Sequence, residues 1–145
     1  MPRHGPSLTS QTALHHTGDR LSVLGEQASR SARTAGAPGR AARILLSMVL
    51  HDWDEETCRS LLGKCRAALP EDGVVLICEL LLNDARTGPA AAALMGMNML
   101  VETEDGKNYS GAECGQWLLD VGFARVEIVP FEAAGANGVV IGHVT

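Results

Sequence analysis

The chain has 145 residues, 46% of them hydrophobic and 3% aromatic, which suits one domain with its own core. Its net charge of −5 argues against general nucleic-acid binding, and its apolar runs are strand-sized, too short to cross a membrane. The charge is uneven: through Arg43 six arginines face two acids, Asp19 and Glu26, a balance of about +4 that leaves about −9 for the rest.

Residues 1–42 are rich in Ser, Gly, Ala and Arg and have little hydrophobic periodicity. They read as a mostly disordered or unrelated leader, with a short helix possible only around Asp19 to Arg30. The texture changes at Pro38 to Ala42, so the folded part is expected over 43–145. Four cysteines, Cys58, Cys65, Cys78 and Cys114, show neither a CxxC pair nor metal-ligand spacing. They read as small buried hydrophobes of a reducing, cytoplasmic compartment, and no metal site is expected.

"ILLSMVL", from Ile44 to Leu50, is a nearly continuous apolar run, as expected of a strand covered on both faces. Asp54 then suits a helix N-cap, with Glu55 and Glu56 in a first turn favoured by the helix dipole. Cys58, Leu61, Leu62, Cys65 and Leu69 follow at helical spacing, and Pro70 with the Glu-Asp-Gly turn ends that helix. "VVLICELLL" is a second buried strand, and strand–helix–strand in this span is a βαβ unit with a parallel pair. "AAAALMGMNMLVETE" is helical by composition. A further helix is predicted from Gly111 to Val121, capped by Ser110 and ended by Gly122. "ARVEIVPFEA" and "GVVIGHVT" form an antiparallel hairpin at a sheet edge, with Asn137-Gly138 in its loop. The fold class is therefore α/β.

His51 falls at the carboxyl end of the first strand, where open α/β sheets bind ligands. It is either a loop histidine or a working one. Glu79 favours the second reading. It is the one charged residue inside its apolar run, and a buried carboxylate needs a partner. If the two strands are neighbours, imidazole and carboxylate meet at one edge. A carboxylate on one ring nitrogen fixes the tautomer and raises the basicity of the other, which makes a general base with its orienting acid. A purely structural pair has the same signature. A glutamine at 79 would be expected to keep the ring's orientation but not to stabilise the imidazolium. Asp52 is either a helix-start residue or a site residue. Trp53 is a staple against the helix or a wall for a flat ligand, and Asn98 either satisfies a local carbonyl or points into a pocket.

"LLSMVLHDWDEETCRSLLGKCRAALPEDGVVLICELLLND" and "MNMLVETEDGKNYSGAECGQWLLDVGF" together resemble the C-terminal half of S-adenosylmethionine-dependent O-methyltransferases. That family includes plant phenolic, acetylserotonin and bacterial antibiotic-pathway members. The resemblance implies the later part of a Rossmann-like sheet, S-adenosyl-L-methionine as cofactor, and a small, aromatic hydroxyl acceptor as partner. It implies that His51 is the catalytic base, that Glu79 is an acid flanking it, and that Asp52, Asn98 and Glu102 border the acceptor, with Glu102 in place of a more usual Gln. Trp53 would border the cofactor. Asn108 stands where many members carry a second acid, and Ser47 or Met48 where a basic residue is common. The family's glycine-rich cofactor loop, ribose-binding acid and dimerisation domain lie upstream of His-Asp-Trp, and residues 1–42 carry no such pattern. The expectation is a partial catalytic domain; the alternative is an inactive fragment that serves as an interaction module.

Overall fold

A computed structural model describes residues 43–133 and 135–145. The expectations for the leader lie outside the described residues. Strand β1 (Arg43–Ser47) leads into a single 3-10 turn (Leu50–Asp52), helix α1 (Glu55–Ala68) and strand β2 (Val74–Glu79). Helices α2 (Ala90–Glu102) and α3 (Gly111–Asp120) follow, then strands β3 (Arg125–Ala133) and β4 (Ala136–His143). The sheet order is β1-β2-β4-β3. β1 and β2 are parallel, in register from Arg43 opposite Val74 to Ser47 opposite Cys78. β4 is antiparallel to both β2 and β3, so the hairpin's outer strand forms the sheet edge.

Local chemistry sets most boundaries. Asp54 caps α1 by accepting a 2.8 Å bond from the Thr57 N–H, and Glu55 and Glu56 occupy the first turn. The helix buries Cys58, Leu61, Leu62 and Cys65. Its stop is a tight turn in which the Gly73 N–H reaches the Pro70 carbonyl at 3.0 Å. A Cβ at Gly73 would stand 2.8 Å from Leu69 Cβ, so only glycine fits there. Ser110 and Glu113 form a reciprocal capping box at α3, and Gly122, at φ +98°, ends it. Between helices and sheet lie Leu50, Leu62, Val75, Ile77, Leu118 and Val140, all fully buried. Trp117 meets Tyr109 edge-on, with ring centroids 4.7 Å apart.

Three sequence expectations need correction. The apolar run from Ile44 does not stay extended to Leu50: the strand ends at Ser47, and Met48 turns with φ 54°. Nor is β1 covered on both faces, because Ile44 and Leu46 are buried while Leu45 is 51% exposed. Asn137-Gly138 lies inside β4, opposite the end of β2, and not in the hairpin loop. The turn falls earlier, around Gly135, whose φ of 88° a side chain rarely adopts.

Candidate active site

Val75, Ile77 and Glu79 share the buried face of β2, so the last side chain of that face is a carboxylate, 5% exposed. Its burial is offset by three hydrogen bonds. Oε1 accepts from the backbone N–H groups of Val49 at 2.7 Å and Leu50 at 2.9 Å. Oε2 lies 2.7 Å from Nδ1 of His51. An ionised carboxylate only accepts, so Nδ1 carries the proton and Nε2 of the neutral ring keeps its lone pair. Nε2 stands 3.5 Å from Oδ1 of Asp52, whose side chain is half exposed. His51 itself is 8% exposed. Its pKa is raised above the ordinary histidine value, chiefly by the hydrogen bond to Glu79, with the charges of Glu79 and Asp52 adding and burial opposing.

The segment after α2 braces this pair. The Gly106 N–H donates to Thr103 Oγ1, which itself donates to the Met99 carbonyl. Gly106 packs under the turn so closely that a Cβ there would come within 2.5 Å of the His51 carbonyl oxygen. Asn108 Nδ2 donates to the Leu80 carbonyl at 2.8 Å, and the Tyr109 carbonyl accepts from the Leu82 N–H at 2.9 Å. The Tyr109 hydroxyl donates to the Trp53 carbonyl at 2.6 Å. From the other side, Asn137 accepts from the Leu81 N–H and donates to the Leu81 carbonyl, continuing the sheet pairing past Glu79 with a side chain. The chain on either side of the His51–Glu79 pair is thus held by hydrogen bonds.

The structure brings His51, Glu79 and Asp52 together. Trp53 is half-buried beside them, packed on the core. Asn98 and Glu102 lie exposed, one helical turn apart on α2. Asn108, 3% exposed, reaches Leu80 by its amide nitrogen, and its Oδ1 has no partner among the described residues. The cysteines are poor nucleophiles: burial, with the charges of Asp54 and Glu79, pushes Cys58 up to about 12, and burial pushes Cys65 up to about 11. Sequence reasoning missed Gly106 and Asn137. Gly106 opens the loop whose Asn108 stands where relatives carry an acid beside the histidine, but no sequence pattern marks the close approach of its own backbone to the His51 turn. Asn137, next to a glycine, carried a turn signal that concealed its role as a clamp.

A parallel βαβ unit with a buried imidazole–carboxylate pair at its strand ends is a Rossmann-like arrangement. Within that class the chain belongs to the O-methyltransferase domain family, whose model matches residues 31–124. It is 57% identical over 99 residues to 3-hydroxy-5-methyl-1-naphthoate 3-O-methyltransferase of Streptomyces sahachiroi, covering 68% of this chain and 28% of that protein. It is 42% identical over 84 residues to acetylserotonin O-methyltransferase of Gallus gallus, covering 58% of this chain and 24% of that one. Among solved structures, an O-methyltransferase from neocarzinostatin biosynthesis, in complex with S-adenosyl-L-homocysteine and 1,4-dihydroxy-2-naphthoic acid, superposes with a TM-score of 0.60. That match has 30% identity and covers 75% of this chain and 31% of the other. The chain therefore spans under a third of the length of these relatives. Among the described residues, no helix is long and apolar enough to cross a membrane.

Proposed function

We propose that this chain carries the base-bearing part of an S-adenosylmethionine-dependent O-methyltransferase acting on a hydroxyl of a small aromatic molecule, with His51 as general base. One observation carries the reading: Glu79 occupies Nδ1 of His51 and leaves Nε2 to accept a proton beside the half-exposed Asp52. Nε2 takes the proton of the acceptor hydroxyl as the oxygen becomes nucleophilic. Glu79, fixed by two backbone N–H groups, holds the ring in place and stabilises the imidazolium. When bound, S-adenosylmethionine supplies an electrophilic methyl group on a positively charged sulfur. Trp53, beside the turn, is our assignment for the cofactor's border, and Asp52 offers a carboxylate on the same side. The residues present fit the acceptor side of such a reaction. Asn98 and Glu102 are assigned to the acceptor as well. An aromatic acceptor is supported by the naphthoate named for the relative at 57% identity and by the naphthoic acid held in the neocarzinostatin-pathway enzyme.

The test is a chimera in which residues 43–145 replace the matching segment of the Streptomyces sahachiroi enzyme. Methyl transfer from labelled S-adenosylmethionine to a hydroxynaphthoate is expected. His51→Ala in that chimera should cut turnover by about a hundred- to ten-thousand-fold while leaving S-adenosylhomocysteine binding nearly unchanged. Full turnover without the imidazole would overturn the assignment.

A further inference from the structure

We propose that Met48 is a positioning residue for the His51–Glu79 pair, acting through its backbone. By adopting a left-handed conformation it turns the chain out of β1, so that the next two N–H groups form a cradle for the Glu79 carboxylate. The catalytic meaning of this rests on the reading of His51 given above; the geometry does not.

Two non-glycine residues among those described have positive φ, Arg86 and Met48. Arg86 lies in an exposed turn closed by its own N–H to Asn83. Met48 lies between the last residue of β1 and the turn that carries His51. Its N–H makes a further bond to β2 beyond the end of β1, 3.0 Å to the Cys78 carbonyl. Had the strand continued, the next N–H groups would have alternated in direction, as extended backbone requires, and a single acceptor could have met only one of them. Instead Met48 is left-handed, and Val49 follows at φ −123° and ψ −42°. A left-handed residue beside one near the right-handed region aims successive N–H groups into one concavity, a backbone nest that binds anions. The occupant here is Glu79 Oε1, 2.7 Å from Val49 N and 2.9 Å from Leu50 N.

The side chain has a separate task. Met48 Cγ, Sδ and Cε lie 3.9 Å from where a Cβ on Gly135 would stand, so the thioether packs over the hairpin turn. The left-handed conformation is thereby held from two sides, by the bond to Cys78 and by the packing at Gly135. Such conformations persist only where their surroundings impose them, and this one sits directly ahead of the pair it aims. Without the cradle, Oε1 would be buried with no donor, and the carboxylate would turn away from the imidazole, removing the negative partner of Nδ1.

The experiment follows the His51 imidazole by its ring-nitrogen NMR shifts against pH in the 145-residue chain, in unmodified protein, Met48→Gly and Met48→Val. Glycine adopts the left-handed region freely, whereas a β-branched residue is strongly disfavoured there. Met48→Gly should leave the titration midpoint where it is. Met48→Val should lower it by about one pH unit or more, as the imidazolium loses its carboxylate. A merely structural role would lower the melting temperature without moving the midpoint. A folded Met48→Val with an unmoved midpoint, or a Met48→Gly that loses the raised midpoint, would overturn the proposal. If Met48→Val does not fold, the backbone decides. The Val49 and Leu50 amide protons should exchange slowly in unmodified protein and in Met48→Gly, and fast in Glu79→Ala; free exchange in the unmodified protein overturns it. Loss of the proposed function in the chimera would leave these titrations unaffected, so the two readings fail separately.

Discussion

At His51 two influences oppose each other. Burial favours the neutral ring, and the 2.7 Å bond to Glu79 favours the charged one; the bond wins, and the pKa lies above the ordinary 6.5. If His51 is the base proposed above, it must be neutral to act, so the acid limb of kcat/KM in the chimera is expected above that value, with activity rising through it. The structure also changes what Glu79→Gln should do. From sequence, a glutamine would keep the ring oriented. In the structure both carboxylate oxygens accept, Oε1 from two N–H groups and Oε2 from the imidazole. An amide has one acceptor. With its oxygen kept by Val49 and Leu50, its NH2 would face Nδ1, select the tautomer with the proton on Nε2, and block the base. Glu79→Gln is therefore expected to approach His51→Ala, a loss of about a hundred- to ten-thousand-fold in turnover. A drop of only a few-fold would show that the backbone N–H groups are not the stronger claimants.

The elements differ in how openly the sequence announces them. Helix α1 was legible at both ends because its signals are side chains with one physical use each: Asp54 as cap, the acids of the first turn, Pro70 as stop. Asp54→Ala should cost about 1 kcal/mol in chemical denaturation, the usual loss for an N-cap. The connection from α2 to α3 was legible only at Asn108, because its other contacts are bonds from side chains to distant backbone groups and the absence of a side chain at Gly106. Gly106→Ala would press a methyl group against the His51 carbonyl and against Thr103 Oγ1, which is held by its bond to the Met99 carbonyl. A loss of about 1–3 kcal/mol is expected, as for overpacking in a core, and turnover in the chimera should fall with it as the turn shifts. Stability equal to the parent would mean that the loop can retreat from the turn.

Across the molecule, the βαβ unit and the meeting of His51 with Glu79 could be read from two apolar runs and one misplaced charge. Parallel pairing of neighbouring strands brings such residues to the same edge whatever lies between them. What could not be read were choices without a sequence signal: a methionine in a left-handed conformation, and an asparagine that completes the sheet with its amide. Asn137 shows why. Its side chain mimics a peptide group, which suits a turn and a strand end equally, and only the position of Leu81 decides between them.

The His51–Glu79 pair also ties the stability of the whole fold to pH. The folded state raises the pKa of His51, so it binds that proton more tightly than the unfolded chain does. The resulting stabilisation is fully present below about 6.5, the unfolded value, and is lost as pH rises through the folded pKa. His143 acts in the opposite sense: burial, with the charge of Arg125, outweighs the Glu127 carboxylate 3.0 Å from its Nε2 and lowers its pKa, so the folded state gives up stability as pH falls through the unfolded value. The two contributions overlap, and a single stability curve would mix them. The difference between the parent and His51→Gln removes His143 from the comparison. Urea denaturation from about pH 5.5 to 9 should give a stability difference that favours the parent most at the acidic end and shrinks toward alkaline pH. A difference independent of pH would mean that Glu79 holds a neutral imidazole as firmly as a charged one.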